Sequence, residues 1–150
     1  MSPDYAVITA CLNAGSTIAD TLRSVLSQTP PPRQFIVVDG GSQDDTLERV
    51  EAARLNLPAA SAFRLETQRP APGAAGIPAA WNQALRLVAG EPHDAVFILN
   101  ADDWYEPGAA AAVLKAFAEH PHADIVTAAI QYRAGPGAPV LRRQQPRSLR

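Results

Sequence analysis

The sequence of 150 residues has one cysteine, Cys11, and one methionine. A lone cysteine excludes an internal disulfide and is typical of a reducing compartment, so we expect a cytoplasmic protein. No apolar run approaches the roughly 18 residues of a membrane span. No basic residues precede the first apolar stretch, which argues against a signal peptide. The formal net charge of −2 gives no overall attraction to nucleic acid, and we expect no nucleic-acid partner.

Acidic residues are absent after Asp124, although five arginines follow it. We divide the chain into a domain over residues 1–133 and a tail over residues 134–150 that is rich in proline, glycine and arginine. Two interpretations of this tail are open. The favoured one is a solvated tail or the remnant of a longer domain. The other is a basic arm that contacts an anionic membrane surface, with the protein peripheral at that membrane.

Apolar segments alternate with segments of helical periodicity along the rest of the chain. We predict strands over residues 5–11, 35–38, 62–66, 95–99 and 123–130, with helices starting near residues 18, 44, 77 and 107. This order predicts an α/β fold of three layers, α/β/α, with a mostly parallel central sheet. The run over 95–99 has no helical period and predicts a strand buried on both faces.

Polar side chains follow three of the predicted strands. Asn13 follows the first strand, Asp39 the second, and Asp102 and Asp103 the fourth. Ligands of parallel sheets bind beyond the carboxyl ends of the strands, so these residues predict one shared cleft. Adjacent carboxylates are suitable ligands for Mg²⁺ or Mn²⁺ held against substrate phosphates. Purely structural roles are the alternatives: a turn at Gly40-Gly41 for Asp39, and helix capping for Asn13 and the two aspartates.

Three segments together resemble the family 2 glycosyltransferases, which have the GT-A fold. They are VITACLNAG at residues 7–15, SVLSQT at 24–29 running to IVVDGGSQDDT at 36–46, and the helix after Gly76 followed by LNADDW at 99–104. The resemblance covers roughly residues 5–130 and is strongest to members that build bacterial surface polysaccharides. It implies a metal-dependent inverting transferase that moves a sugar from a nucleoside-diphosphate sugar, foremost a UDP-sugar, to a saccharide or lipid-linked acceptor.

The resemblance also implies roles for single residues. Asp39 would hold the uracil or ribose of the donor, and Thr9 and Asn13 would flank its base. Asp102 and Asp103 would bind Mg²⁺ or Mn²⁺, with Asp102 also facing the donor. Residues expected to complete the donor site are Gly76 and Asn82. Trp104 and Tyr105 would either form a platform for the sugar or pack under the next helix.

The sequence departs from the family pattern at several positions. Asn100 stands where many members have the first Asp of a DxD motif, and Ala79 and Gln83 replace a common Asp and Lys. Arg69 is a candidate for a replacement charge near the diphosphate. The family's general base is an acid well beyond the metal motif, and no acid follows Asp124, so no catalytic base is identified.

Two further functional hypotheses follow from these departures. One is a non-catalytic nucleotide-sugar-binding module, a truncated or partner-dependent fragment without the base. The other is an unrelated dinucleotide-dependent enzyme, which is disfavoured because no G-x-G-x-x-G follows the first strand.

Overall fold

A computed structural model of the chain describes residues 4–55, 62–69 and 75–145. Its centre is a sheet of four strands, all parallel, in the order β3-β2-β1-β4. The strands are β1 (Tyr5–Cys11), β2 (Gln34–Asp39), β3 (Ala62–Thr67) and β4 (Ala95–Ile98). The predicted parallel sheet is confirmed, and β3 lies at an edge as its alternating pattern indicates.

Within the described residues, four helices cover the two faces of this sheet. They are α1 (Ile18–Leu26), α2 (Thr46–Leu55), α3 (Ile77–Val88) and α4 (Ala109–Glu119). Buried side chains of α1, α2 and α4 share one apolar core with β1, β2 and β4, whereas α3 packs on the opposite face. In α1 the core residues Ile18, Leu22 and Val25 are spaced at one helical face and are fully buried. The three-layer α/β/α prediction is confirmed.

Strand β4 is an edge strand, and the prediction that it is buried on both faces is wrong. Phe97 is buried against the α1 side, whereas Val96 and Ile98 are 39% and 48% exposed. These two residues pair in register with Ala6 and Ile8 of β1, which α3 covers. Helix α3 lies over β1 and β2 and leaves the same face of β4 open. The apolar run at residues 95–99 therefore correctly indicates a strand, but it does not indicate that both faces of the strand are buried.

The predicted strand over residues 123–130 is also wrong. Residues 123–129 are not in a strand, and Ile125 is 68% exposed. A short strand, β5 (Ile130–Tyr132), instead pairs antiparallel with β6 (Arg142–Gln144) in a separate sheet. The intervening turn includes Gly137 at a positive φ of 78°, which glycine adopts without steric cost. The described tail residues thus form a hairpin with residues before 134, and the domain boundary at 133 stays a prediction.

No helix within the described part of the chain is long and apolar enough to cross a membrane.

Candidate functional site

A cavity of about 600 Å³ opens at the carboxyl ends of the parallel strands. The segments that follow all four strands contribute to it, as expected for a cleft at this edge of the sheet. The residues that line it are Ala10, Cys11, Leu12, Asn13, Ala14, Ser16, Thr17, Gly40, Gln68, Gly76, Ile77, Ala80, Asn100, Ala101 and Asp102.

The structure brings three of the predicted donor-site residues to this cavity. Asn13, Gly76 and Asp102 line it, and Asp103 is the next residue along the chain. Thr9, Asp39 and Asn82 are not among the lining residues. Thr9 is 1% exposed, and its hydroxyl has no hydrogen-bond partner among the described residues. The predicted donor contacts of these three residues stay predictions.

Asp39 is buried and its carboxylate closes the loop after β2. Its Oδ2 accepts hydrogen bonds from the backbone N–H groups of Gly41 (2.8 Å) and Ser42 (3.0 Å). Its Oδ1 accepts from the Ser42 hydroxyl and lies 3.7 Å from the Cys11 sulfur. Burial, and then the charge of Asp39, raise the pKa of the Cys11 thiol to about 12. The contacts with Gly41 and Ser42 are those of the turn-forming role raised as an alternative, and the turn that they form includes Gly40 at the cavity wall.

The polar residues of the S-x-D-x-T segment at 42–46 fasten the loop after β1. Three consecutive backbone N–H groups, those of residues 13, 14 and 15, donate to side chains of Ser42 (2.9 Å), Thr46 (2.8 Å) and Asp44 (2.9 Å) respectively. Hydrogen bonds from the Thr46 hydroxyl and then from the Gly15 N–H lower the pKa of Asp44. This segment therefore shapes one wall of the cavity without lining it.

Asn13 adopts a positive φ of 50°, a left-handed conformation that asparagine tolerates better than most residues. Its Oδ1 accepts a hydrogen bond from the Gln43 N–H at 2.8 Å. Helix α1 begins at Ile18 after Thr17, so the alternative that Asn13 caps this helix is wrong. Asn13 instead ties the two loops together while lining the cavity.

The two aspartates lie in a loop between β4 and α4, residues 99–108, which we call the aspartate loop. Both residues are exposed. Burial of its carboxyl group, and then the negative charge of Asp102, raise the pKa of Asp103. Asn100 Nδ2 lies 3.4 Å from Asp103 Oδ2. Helix α4 begins after Gly108 without a side-chain cap, so the alternative that the aspartates cap it is wrong.

Four polar side chains of α1 and its flanks, which we call the α1 polar stripe, bind the backbone of the region 101–110. They are Thr17, Thr21, Ser24 and Gln28. The Ala101 carbonyl accepts from the Thr17 hydroxyl at 2.8 Å, and the Thr21 hydroxyl lies 2.9 Å from the same carbonyl and 2.8 Å from the Asp103 carbonyl.

The rest of the stripe holds the C-terminal part of the same region. Ser24 Oγ accepts from the Tyr105 N–H at 3.1 Å. The Gln28 side chain donates to the Glu106 carbonyl at 3.1 Å and accepts from the Ala110 N–H at 3.0 Å. These residues are absent from our sequence-based candidates. Their spacing of three or four residues places them on one side of the helix. A row of polar residues beside the apolar row of α1 is the sequence pattern from which they could have been identified.

Glutamine side chains organise the segment between β3 and α3. Gln83 donates to the Thr67 carbonyl at 2.9 Å and accepts from the Arg69 N–H at 2.7 Å. Gln68 donates to the Gly76 carbonyl at 2.8 Å. Gln83, which replaces the family's common lysine, thus supports the strand end next to the cavity.

Tyr105 packs in the core, which confirms the packing alternative for this residue. Its ring contacts Phe97 edge-on with centroids 6.2 Å apart, and burial raises the pKa of its hydroxyl well above the usual range. Trp104 is half-buried.

Comparison with known sequences identifies a family and two relatives of this chain. The sequence profile of glycosyl transferase family 2 matches residues 6–149. The succinoglycan biosynthesis protein ExoU of Rhizobium meliloti (strain 1021) is 31% identical over 105 residues, which are 70% of this chain and 28% of that protein. The poly-beta-1,6-N-acetyl-D-glucosamine synthase of Staphylococcus epidermidis is 40% identical over 47 residues, 31% of this chain and 11% of that protein.

Solved structures share the fold. The mannosyltransferase PcManGT from Pyrobaculum calidifontis, in complex with GDP-Man and Mn²⁺, aligns with a TM-score of 0.65 and 25% identity over 87% of this chain and 35% of that one. S. aureus TarS 1–349 in complex with UDP-GlcNAc aligns with a TM-score of 0.61 and 22% identity, covering 91% of this chain and 37% of that one. The predicted GT-A fold class is confirmed, and this chain spans less than two fifths of each of these proteins.

Proposed function

The chain belongs to glycosyl transferase family 2, and from this premise we propose that it transfers a sugar from a nucleoside-diphosphate donor in a metal-dependent, inverting reaction. The observation that carries the proposal is the cavity at the strand ends, whose wall includes Asp102. A volume of about 600 Å³ lies within the range of small-molecule sites. The relative of 25% identity was solved with GDP-Man and Mn²⁺, which supports a nucleotide-sugar donor.

The donor contacts that we propose follow the cavity wall. Asn13 and Gly76 would face the nucleoside, and Asp102 the diphosphate, since these residues line the cavity. Asp39 would act through the Gly40 loop that it holds. The acceptor is proposed to be a saccharide or a lipid-linked saccharide, because ExoU and the poly-N-acetylglucosamine synthase are named for polysaccharide synthesis.

The residues present fit a divalent cation, Mg²⁺ or Mn²⁺. Magnesium sites next to substrate phosphates use one or two carboxylates and complete their shell with phosphate oxygens and water. The exposed pair Asp102 and Asp103 provides two carboxylates. No group of three or more His, Cys, Asp or Glu side chains over residues 4–55, 62–69 and 75–145 could hold a metal ion alone. A bound cation would offset the charge of the departing nucleoside diphosphate.

Titration calorimetry with UDP, in the presence of Mn²⁺ and then of EDTA, tests this proposal. We expect Mn²⁺ to strengthen UDP binding at least tenfold. Because Asp102→Asn with Asp103→Asn removes both carboxylates, this double variant should lose the metal-dependent gain. A matched control, Glu119→Gln with Asp124→Asn, removes two charges around the C-terminal end of α4 and should keep it. No UDP binding with or without metal would refute the proposal.

A second candidate function is a nucleotide-sugar-binding module without catalysis. It is favoured by Ala79 and Gln83, which stand where an Asp and a Lys are common in the family. A donor-hydrolysis or transfer assay run beside the calorimetry separates the two functions. Binding with turnover supports the enzyme, and binding without turnover supports the module.

A cytoplasmic location at an anionic membrane surface is part of the proposal. Both strands of the β5–β6 hairpin are exposed, including Ile130 and Tyr132. Arg142 lies over the Tyr132 ring at 5.7 Å, and Arg143 is its neighbour in a segment without acids. Exposed apolar and basic side chains together suit an anionic lipid surface.

Vesicle sedimentation tests this contact. We expect binding to vesicles of phosphatidylcholine with phosphatidylglycerol, and not to phosphatidylcholine alone. Arg142→Gln with Arg143→Gln should weaken binding about 25-fold, because each arginine near such a surface contributes about fivefold. The control variant Arg64→Gln with Arg86→Gln has the same charge but an intact hairpin. Equal loss in both variants would contradict a role for the hairpin.

A further inference from the structure

We infer that Thr21 is a positioning residue for the cation site, and that the α1 polar stripe fixes the backbone that carries Asp102 and Asp103. This inference rests on the proposed function. Of the stripe residues only Thr17 lines the cavity, and Thr21, Ser24 and Gln28 lie outside its wall.

The carbonyls on either side of Asp102 are both fixed by threonine hydroxyls. Thr17 donates to the Ala101 carbonyl at 2.8 Å. Thr21 lies 2.9 Å from that carbonyl and 2.8 Å from the carbonyl of Asp103. A hydroxyl has one proton to donate. With the Thr17 hydroxyl donating to the Ala101 carbonyl, the Thr21 proton is available to the Asp103 carbonyl, so the peptide unit before Asp102 and the one after Asp103 each have a donor. The peptide unit between Asp102 and Asp103 is held by the Asp103 N–H, which donates to the Asn100 carbonyl at 3.2 Å.

The Asp102 side chain has no restraint of its own. Over the described residues no hydrogen bond or ion pair of its carboxylate occurs, and Asp103 has only the 3.4 Å contact with Asn100. The backbone therefore fixes where the Asp102 Cα–Cβ bond points, and with it the positions that the carboxylate can reach. That backbone is in turn set by the α1 polar stripe.

The stripe residues at the centre of this arrangement are buried. Thr21 is 1% exposed and Gln28 4% exposed. A buried polar group needs a partner, and loss of one partner leaves the other unsatisfied. The aspartate loop cannot shift relative to α1 without breaking several such bonds together. A cation site needs this rigidity, because residues that orient metal ligands typically change metal affinity 10–100-fold when mutated.

The test compares Thr21→Val, which removes the hydroxyl at nearly constant volume, with Thr21→Ser, which keeps it. Thr29→Val is the matched control, because Thr29 is exposed and just past the stripe. Calorimetry measures UDP affinity with Mn²⁺ and with EDTA. We expect Thr21→Val to lower the affinity with Mn²⁺ about tenfold and leave the affinity in EDTA unchanged. Thr21→Ser should restore the affinity within about twofold, and Thr29→Val should have no effect.

Hydrogen exchange of the peptide over residues 99–110 is a second readout that needs no ligand. Thr21→Val should speed exchange there, because it loosens the segment whose Tyr105 and Ala110 amides donate to Ser24 and Gln28 of the same stripe. Unchanged affinity with Mn²⁺ in Thr21→Val, an equal loss in EDTA, or failure of Thr21→Ser to rescue would each overturn the inference. If the unsubstituted chain shows no metal-dependent UDP binding, the proposed function fails. Faster exchange in Thr21→Val would still establish that the α1 polar stripe holds the aspartate loop.

Discussion

Ser42, Asp44 and Thr46 shape the candidate site without lining the cavity. Their side chains accept hydrogen bonds from the three successive backbone N–H groups of residues 13–15. Backbone N–H groups in a turn otherwise need water or ligand partners. By satisfying them, the segment fixes the strand-to-helix turn that forms the cavity wall.

The charge of Asp44 makes this arrangement sensitive to pH. Its pKa is lowered in the folded protein by hydrogen bonds from Thr46 and Gly15. The ionised form therefore stabilises the fold at pH values above the usual aspartate pKa of about 4, and this stabilisation is lost as the pH falls through the lowered value. We expect Asp44→Asn to lower the melting temperature at pH 6 and to have a smaller effect near pH 3.

The exposed Asp124→Asn variant controls for the change in net charge. Scanning calorimetry of both variants at the two pH values checks the prediction. A deficit in Asp44→Asn that stays constant between pH 6 and pH 3 would contradict it.

At the scale of elements, the end of β3 is joined to α3 by the two hydrogen bonds of Gln83. One bond uses the amide nitrogen as donor and the other the amide oxygen as acceptor. Lysine can only donate, so the residue common at this position in the family could not replace both bonds.

We therefore expect Gln83→Lys to destabilise the fold by about 1 kcal/mol, the usual net value of one hydrogen bond. Urea unfolding measures the change, with Gln43→Lys as a control on an exposed loop. Greater stability of Gln83→Lys would show that the family residue makes a better contact than the amide does.

The helices and the parallel strands of the central sheet could be predicted from the sequence, whereas the exposed face of β4 and the structure after residue 122 could not. The helix over Ile77–Val88 and the strand over Tyr5–Cys11 match because their patterns are local. The face of β4 that α3 leaves open, and the pairing of β5 with β6, depend on the placement of distant segments. In the site, residues at strand ends could be predicted from topology alone. The α1 polar stripe could not, because its partners are 78–84 residues away.

At the scale of the whole molecule, the sheet has one closed and one partly open face. Ile8 and Ile98 are neighbours in register on that partly open face. Ile8 is completely buried, whereas Ile98 is 48% exposed. The two isoleucines have the same side chain and pair in register, but Ile8 lies in a central strand under α3 and Ile98 in an edge strand.

This pair gives a matched test of the open face. We expect Ile8→Ala to cost about 2–5 kcal/mol of unfolding free energy, as for buried isoleucines. Ile98→Ala should cost less than half as much, because about half of its surface already contacts water. Chemical unfolding of both variants checks the difference. Equal costs would mean that the open face of β4 is covered in solution.

The large sequence separation between the α1 polar stripe and the backbone groups that it binds also matters while the chain is being synthesised. Residues 17–28 leave the ribosome well before residues 101–110, yet the aspartate loop takes its shape from them. Contacts of such large sequence separation form late in folding, because chain entropy opposes them until intervening segments are in place. Metal binding at Asp102 and Asp103, as proposed, would then report that the aspartate loop has packed on α1.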